Sequence, residues 1–122
     1  MYESLTFIGR LGADPETRFT SAGDQVTNFS VAVNTRWTDK DGDPKERVSW
    51  YRVACWGRLA EICNQYLAKG RTVMVTARRI VAEPYIDKDG KPRAALKVTA
   101  DAVKFLDNAD SDRDEEPGEM PF

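Results

Sequence analysis

The stretch Ser49-Trp-Tyr-Arg-Val-Ala-Cys-Trp-Gly57 determines how the rest of the chain is interpreted. In a β-strand, successive side chains point to opposite faces, so Trp50, Arg52 and Trp56 would share one face. Because an unpaired arginine is costly to bury, we expect this face to be open to water or to a ligand. Aromatic rings with a cation between them suit unpaired nucleic-acid bases, which stack on rings while their phosphates pair with Lys and Arg. The alternative is that one tryptophan lies in the core and the other at a subunit contact.

The charge of the chain is divided between two segments. Residues 1–106 contain 17 Lys or Arg and 13 Asp or Glu, a net charge of +4, whereas residues 107–122 contain one Arg and seven acids, a net charge of −6. We expect residues 1–106 to form one folded domain, with a basic character compatible with polyanion binding. Residues 107–122 lack periodicity and should be disordered. They could simply aid solubility, but a solubility tail does not need the apolar tip Met120, Pro121 and Phe122.

The composition argues against several kinds of chemistry. The chain has no histidine, which removes Ser-His and Cys-His nucleophiles and the commonest neutral-pH proton shuttle, so we expect no enzymatic activity. Cys55 and Cys63 form no C-x-x-C pair and are interpreted as buried thiols, with no metal or cofactor. No apolar stretch has the length of a membrane span, and residues 1–10 lack the features of a signal peptide, so the expected location is the cytoplasm.

The alternation of apolar and polar residues predicts an all-β domain with one helix. The five predicted strands are residues 4–11, 26–35, 48–56, 72–80 and 94–105, with a short extended segment at residues 17–19. Apolar residues from Leu59 to Leu67 recur with the period of a helix, and Gly70 is predicted to cap its end. Five strands with one helix between the third and the fourth are typical of an OB-fold, a Greek-key barrel.

Two Asp-Gly signals predict long hairpins at residues 39–43 and 87–90. Trp37 and Tyr85 stand just before these turns, and the loops of OB-folds are where oligonucleotides bind. The acids around Gly42 do not form a calcium loop, because the glycine stands at the fourth position instead of the sixth and no correctly spaced Glu follows. The hairpins are therefore interpreted as arms of the predicted binding surface.

Several motifs, taken in order, resemble the bacterial-type single-stranded DNA-binding proteins over essentially the whole chain. They are Gly9-Arg-Leu-Gly-Ala-Asp-Pro-Glu16, Trp50-Tyr-Arg-Val-Ala-Cys-Trp-Gly-Arg-Leu-Ala-Glu61, Tyr66-Leu-Ala-Lys-Gly70 and the acidic end that closes in Pro121-Phe122. The resemblance implies an OB-fold, usually a homotetramer, that binds single-stranded DNA with little sequence preference in replication, recombination and repair. It also implies a location in the cytoplasm, associated with the nucleoid.

The resemblance implies eight DNA-binding residues in this chain. They are the stacking residues Trp37, Trp50 and Trp56, the phosphate-contacting or base-flanking cations Lys40, Arg52, Arg58 and Lys69, and the hairpin aromatic Tyr85. The chain departs from the family pattern at Ala77-Arg78-Arg79, which lacks the usual glycine. The tip Met120, Pro121 and Phe122 is the implied docking site for replication and repair proteins, with Met where Ile is usual and with a short linker.

Two other classes of function compete with DNA coating. An OB-fold can instead serve as a protein-interaction module in a primosome-like complex, in which Trp50 and Trp56 would become buried on assembly. An enzyme that acts on nucleic acid would need a carboxylate cluster for metal ions, whereas the acids of the body lie mostly in turns. RNA binding is a variant of the main hypothesis, and competition between DNA and RNA strands would separate the two.

Overall fold

The computed structural model describes residues 1–106. The acidic segment 107–122, for which the sequence predicts disorder and a partner-binding tip, lies outside the described residues. The elements are β1 (Leu5–Leu11), β2 (Glu16–Phe19), β3 (Gln25–Thr38), β4 (Pro44–Trp56), α1 (Gly57–Tyr66), β5 (Thr72–Ile86) and β6 (Pro92–Phe105). In this part of the chain, no helix has the length and apolar character needed to cross a membrane.

Five of the strands close into a barrel. The sheet order is β1-β5-β6-β4-β3-β2, and β1 also pairs with β3, so the ring runs β1-β5-β6-β4-β3 and back to β1. The pairing of β4 with β6 is parallel and the other pairings are antiparallel. The short strand β2 pairs with β3 outside the ring. The helix connects the third and fourth strands of the barrel, which confirms the predicted OB-fold.

Gly9 permits the close approach of β1 to β3 where the barrel closes. Arg10 and Leu11 pair with Ala32 and Val31 at this point. A Cβ atom at position 9 would lie 2.3 Å from the carbonyl oxygen of Ala32. Because this neighbour is backbone and cannot rotate away, the closure of the ring requires a glycine in β1.

The core fills the barrel interior and the space under α1. The barrel strands contribute a buried set of small branched residues, Val31, Val53, Val73, Val75 and Val98. The helix adds Ala60 and Cys63, and Leu67 follows it into the same core. The buried hydroxyl of Thr27 donates a hydrogen bond of 2.7 Å to the carbonyl oxygen of Ala60, which fixes the helix against β3.

The structure differs from the sequence prediction at the ends of elements. The four longest strands extend into the hairpin arms. In the β3–β4 arm the side chains are exposed on both faces and burial does not alternate. The predicted cap at Gly70 is wrong, because α1 ends at Tyr66 and Leu67 is already extended, with φ −91° and ψ 151°. Gly70 has φ +88° in the turn that follows, and its N–H donates to the carbonyl oxygen of Leu11 (2.9 Å).

Candidate functional site

The outward surface of β3, β4 and β6 forms a continuous face, here called the barrel face. The strand register places Ser30, Arg52 and Lys97 side by side in one row across this face. Trp50 and Trp56 lie on the same side of β4 as Arg52, because they are separated from it by even numbers of residues. The two indoles are therefore about 20 Å apart along the strand, at about 3.3 Å per residue, with the cationic row between them.

A first groove, the strand groove, crosses the middle of the barrel face. Its volume is about 490 Å³, and it is bounded by β3, β4, β6 and the segment from Ala13 to Arg18. Three cations line it, Arg18, Arg52 and Lys97, together with the acids Asp14 and Glu16. The small side chain of Ala54 leaves room in the floor. An extended polyanion could therefore lie along β4 with its phosphates beside these cations.

A second groove, the hairpin groove, lies between the β3–β4 and β5–β6 arms. Its volume is about 550 Å³, and its lining brings together Trp37, Trp50 and Tyr85. The guanidinium carbon of Arg47 lies 5.5 Å from the centre of the Trp37 ring, a cation–π contact. Lys88 and Arg93 line the same groove, as do the acids Glu46, Asp87 and Asp89.

Several of the cations that line these grooves are paired with carboxylates. Arg52 Nη1 donates to Glu83 Oε1, and Lys97 Nζ lies 3.9 Å from Glu83 Oε2. Arg93 Nε donates to Asp87 Oδ2 at 2.9 Å. The backbone N–H of Lys91 and the guanidinium of Arg93 hold the pKa of Asp87 below its usual value. In turn, the hydrogen bond to the Asp87 carboxylate raises the pKa of Arg93.

The structure brings some of the eight predicted residues together and separates others. Trp37, Trp50 and Tyr85 meet in the hairpin groove, and Arg52 lines the strand groove. Trp56 lies at the end of β4 as the N-cap residue of α1 and lines neither groove. Three predicted cations also line neither groove. They are Lys40 in the β3–β4 turn, Arg58 on α1 and Lys69 in the turn after α1.

The expectation that both indoles are open to solvent is right for Trp56 and wrong for Trp50. Trp56 is 47% exposed, whereas Trp50 is 9% exposed. Trp50 still belongs to the outward face, but it lies at the base of the hairpin groove, where the two long arms rise on either side of it. Trp37, on the arm itself, is 42% exposed. Within the hairpin groove, Trp37 therefore offers a more accessible stacking surface than Trp50.

Sequence reasoning missed several cations that line the grooves. Arg47 could have been found from the turn at Asp41-Gly42, because that turn fixes the register that pairs Trp37 with Lys45 and leaves Arg47 diagonal to the ring. Lys97 gave no local signal, because it reaches Arg52 only through the parallel pairing of β4 with β6. Arg18 likewise joins the groove only because β2 pairs with β3.

The two cysteines are buried free thiols, as predicted. Their Sγ atoms lie 3.9 Å apart, one at the end of β4 and the other in α1. The hydrogen bond to Cys63, together with burial, raises the pKa of Cys55. Within residues 1–106, no three Cys, Asp or Glu side chains come together as a set of metal ligands.

Comparison with known proteins identifies related sequences. Residues 2–106 match the single-strand binding protein family. Single-stranded DNA-binding proteins from two strains of Neisseria meningitidis are 41% identical over 118 residues, which is 97% of this chain and 65% of each relative. Single-stranded DNA-binding protein 1 of Chlorobaculum tepidum is 38% identical over 107 residues, 88% of this chain and 66% of the relative. The chain thus spans about two-thirds of the length of these relatives.

Solved structures show the same architecture. An SSB of Plasmodium falciparum in complex with single-stranded DNA superposes with a TM-score of 0.72 at 25% identity, over 88% of this chain and 97% of that one. A deletion mutant of the single-stranded DNA binding protein from Thermus aquaticus gives a TM-score of 0.69 at 28% identity, over 87% of this chain and 51% of that one.

Proposed function

Because this chain belongs to the single-strand binding protein family, we propose that it binds single-stranded DNA with little sequence preference and protects it during replication, recombination and repair. The protein acts by binding alone and makes or breaks no bond in the DNA. This role places it in the cytoplasm, on the nucleoid. The Plasmodium neighbour, which was solved with single-stranded DNA, supports the proposal.

The observation that carries the proposal is the pair of grooves along β4. The hairpin groove supplies aromatic rings on which bases can stack, at about 1–3 kcal/mol per base, and the strand groove supplies cations for phosphates. Stacking uses the faces of bases and leaves their pairing edges unread, which accounts for binding without sequence preference. In this proposal the DNA runs from Trp56 along the barrel face to the hairpin groove.

Tryptophan fluorescence with poly(dT) tests the proposal. We expect poly(dT) to quench the fluorescence and to bind much more tightly than duplex DNA of the same length. Absence of quenching, or equal affinity for duplex, would refute DNA coating. In the competing protein-interaction module, Trp56, which is exposed in the single chain, would instead become protected on assembly without DNA.

The variant Trp37→Ala tests the aromatic part of the site. Because Trp37 is exposed, its removal should leave the fold intact and weaken binding of a labelled dT oligonucleotide by about 1–3 kcal/mol, measured by fluorescence polarisation. Tyr2→Ala is the matched control, since Tyr2 is a highly exposed aromatic outside both grooves. Equal affinities of the two variants would remove Trp37 from the site.

We also propose that the chain self-associates, as a homotetramer. In residues 1–106 the strand β1 pairs with β3 only at Arg10 and Leu11, so Leu5 to Gly9 have an edge that a second copy can extend. The exposed Ile8 side chain lies in this segment. Solution mass measurements with and without a dT oligonucleotide test the assembly, and a monomer in both would contradict it.

The tip Met120, Pro121 and Phe122 is proposed to recruit replication and repair proteins. An aromatic ring that follows a run of acidic residues suits a hydrophobic pocket with a basic rim. Deletion of Phe122 should abolish capture of such partners without changing the affinity for a dT oligonucleotide. Retained capture would show that the partners bind elsewhere.

A further inference from the structure

Glu83 places a negative charge at the border of the barrel face, next to the row of cations. It lies on β5, which pairs with β6 so that Glu83 stands opposite Ala95, two residues before Lys97. Lys97 is in turn opposite Arg52 in the parallel pairing of β4 with β6. Three adjacent strands therefore bring one carboxylate and two cations together on the same side of the sheet.

Both oxygens of this carboxylate are engaged. Oε1 accepts a hydrogen bond from Arg52 Nη1, and Oε2 lies 3.9 Å from Lys97 Nζ. About one third of the Glu83 side chain is exposed, whereas Arg52 and Lys97 are more open to solvent. The two cations line the strand groove, and Glu83 does not. Glu83 therefore binds Arg52 and Lys97 from outside the groove, and both cations stay within reach of a DNA strand that lies in it.

A carboxylate and a phosphate compete for the same donors, because both are anionic acceptors of charge-assisted hydrogen bonds. In the unbound protein the group of Glu83, Arg52 and Lys97 carries a net charge of +1, instead of the +2 that the two cations have alone. A phosphate that reaches Arg52 must share the guanidinium with Glu83 or displace the carboxylate. Fewer counterions are then released on binding than the number of cations in the groove suggests.

We propose that Glu83 is an internal competitor for phosphate, which holds Arg52 and Lys97 in place in the free protein and weakens the binding of single-stranded DNA at the strand groove. The inference rests on the proposed function. According to this inference, Glu83 controls both the affinity for single-stranded DNA and the salt dependence of that binding. Single-stranded DNA that is bound less tightly at this point is also transferred more easily to another protein.

The test compares Glu83→Gln with Asp101→Asn by polarisation of a labelled dT oligonucleotide between 50 and 300 mM NaCl. Asp101 is the matched control, because it forms an exposed ion pair with Arg78 (2.8 Å) that lies outside both grooves. Each variant removes one negative charge. We expect Glu83→Gln to tighten binding about threefold to tenfold at 50 mM NaCl and to steepen the salt slope by about 0.7 for each further phosphate that the protein neutralises.

A second measurement uses a dT oligonucleotide with an uncharged methylphosphonate backbone. The gain from Glu83→Gln should disappear with this ligand, because there is no phosphate charge for Glu83 to compete with. A gain that persists, unchanged or weaker binding of ordinary DNA by Glu83→Gln, or an equal gain in Asp101→Asn would overturn the inference while leaving the proposed function in place. Failure of the wild-type chain to bind single-stranded DNA would overturn both.

Discussion

At the scale of single residues, Arg79 adopts a backbone conformation that glycine normally occupies. Its φ is +55°, in the part of β5 where the register against β6 shifts between Arg78 and Val81. The next N–H, that of Ile80, donates to Glu3 Oε1 at 3.0 Å, which holds the irregular segment against the start of the chain. The departure from the family pattern at Ala77-Arg78-Arg79 thus coincides with a strained position in the barrel.

We predict that Arg79→Gly is more stable than Arg79→Ala. A side chain in the left-handed region costs about 1–2 kcal/mol, and the greater freedom of unfolded glycine offsets part of this, so the difference should be about 1 kcal/mol in favour of Gly. Urea unfolding measures it. At the neighbouring Arg78 the order should be reversed, with Ala more stable than Gly, since its φ is not positive. The same order at both positions would contradict the strain.

At the scale of elements, the two long hairpins use the same tetrapeptide to make the same turn. Asp-Lys-Asp-Gly occurs at residues 39–42 and at residues 87–90. In each copy the first Asp accepts two backbone N–H groups through Oδ1, at 2.9–3.0 Å. The glycines have φ +82° and +78°. Because the same hydrogen bonds close both turns, they fix the register of the arms that build the hairpin groove.

The β5–β6 hairpin should loosen only at low pH. The pKa of Asp87 lies below its ordinary 3.8, so the charged carboxylate stabilises the turn above that value and the stabilisation is lost as the pH falls through the lowered pKa. We expect the amide resonance of Lys91 to report this transition in an NMR titration below pH 3.8. Asp87→Ala should abolish the transition. A midpoint at the ordinary aspartate pKa would contradict the prediction.

The sequence predicted the barrel strands because their residues alternate between core and solvent, and it predicted the helix because apolar residues recur with the helical period. It could not predict the full length of the arms, where both faces are exposed, or the end of α1 before Gly70. At the site it predicted the aromatic residues Trp37 and Tyr85, which stand beside recognisable turns. The partner cations Lys97 and Arg18 come from pairings between distant strands, which no local pattern encodes.

At the scale of the whole molecule, the body and the acidic segment carry opposite net charges, +4 and −6. We predict that deletion of residues 107–122 raises the affinity for single-stranded DNA, because the seven acids no longer compete with phosphates for the cations that line the grooves. The gain should be largest at low salt, where electrostatic attraction is least screened. Polarisation with a labelled dT oligonucleotide over a range of NaCl concentrations measures it.

A chain of full length with the seven acids replaced by Asn and Gln is the matched control for this deletion. It should show the same gain, because the effect depends on charge and not on length. Unchanged affinity of the truncated chain at every salt concentration would refute the competition.

The position of β1 in the ring also has a consequence for translation. Leu5 of β1 pairs with Ala77 of β5, so β1 emerges from the ribosome long before this partner strand has been made. The pairing of β4 with the last strand, β6, forms later still. No nascent chain that stops short of β6 can close the barrel. The N-terminal strands therefore have to stay unaggregated on the ribosome until almost the whole domain has been synthesised.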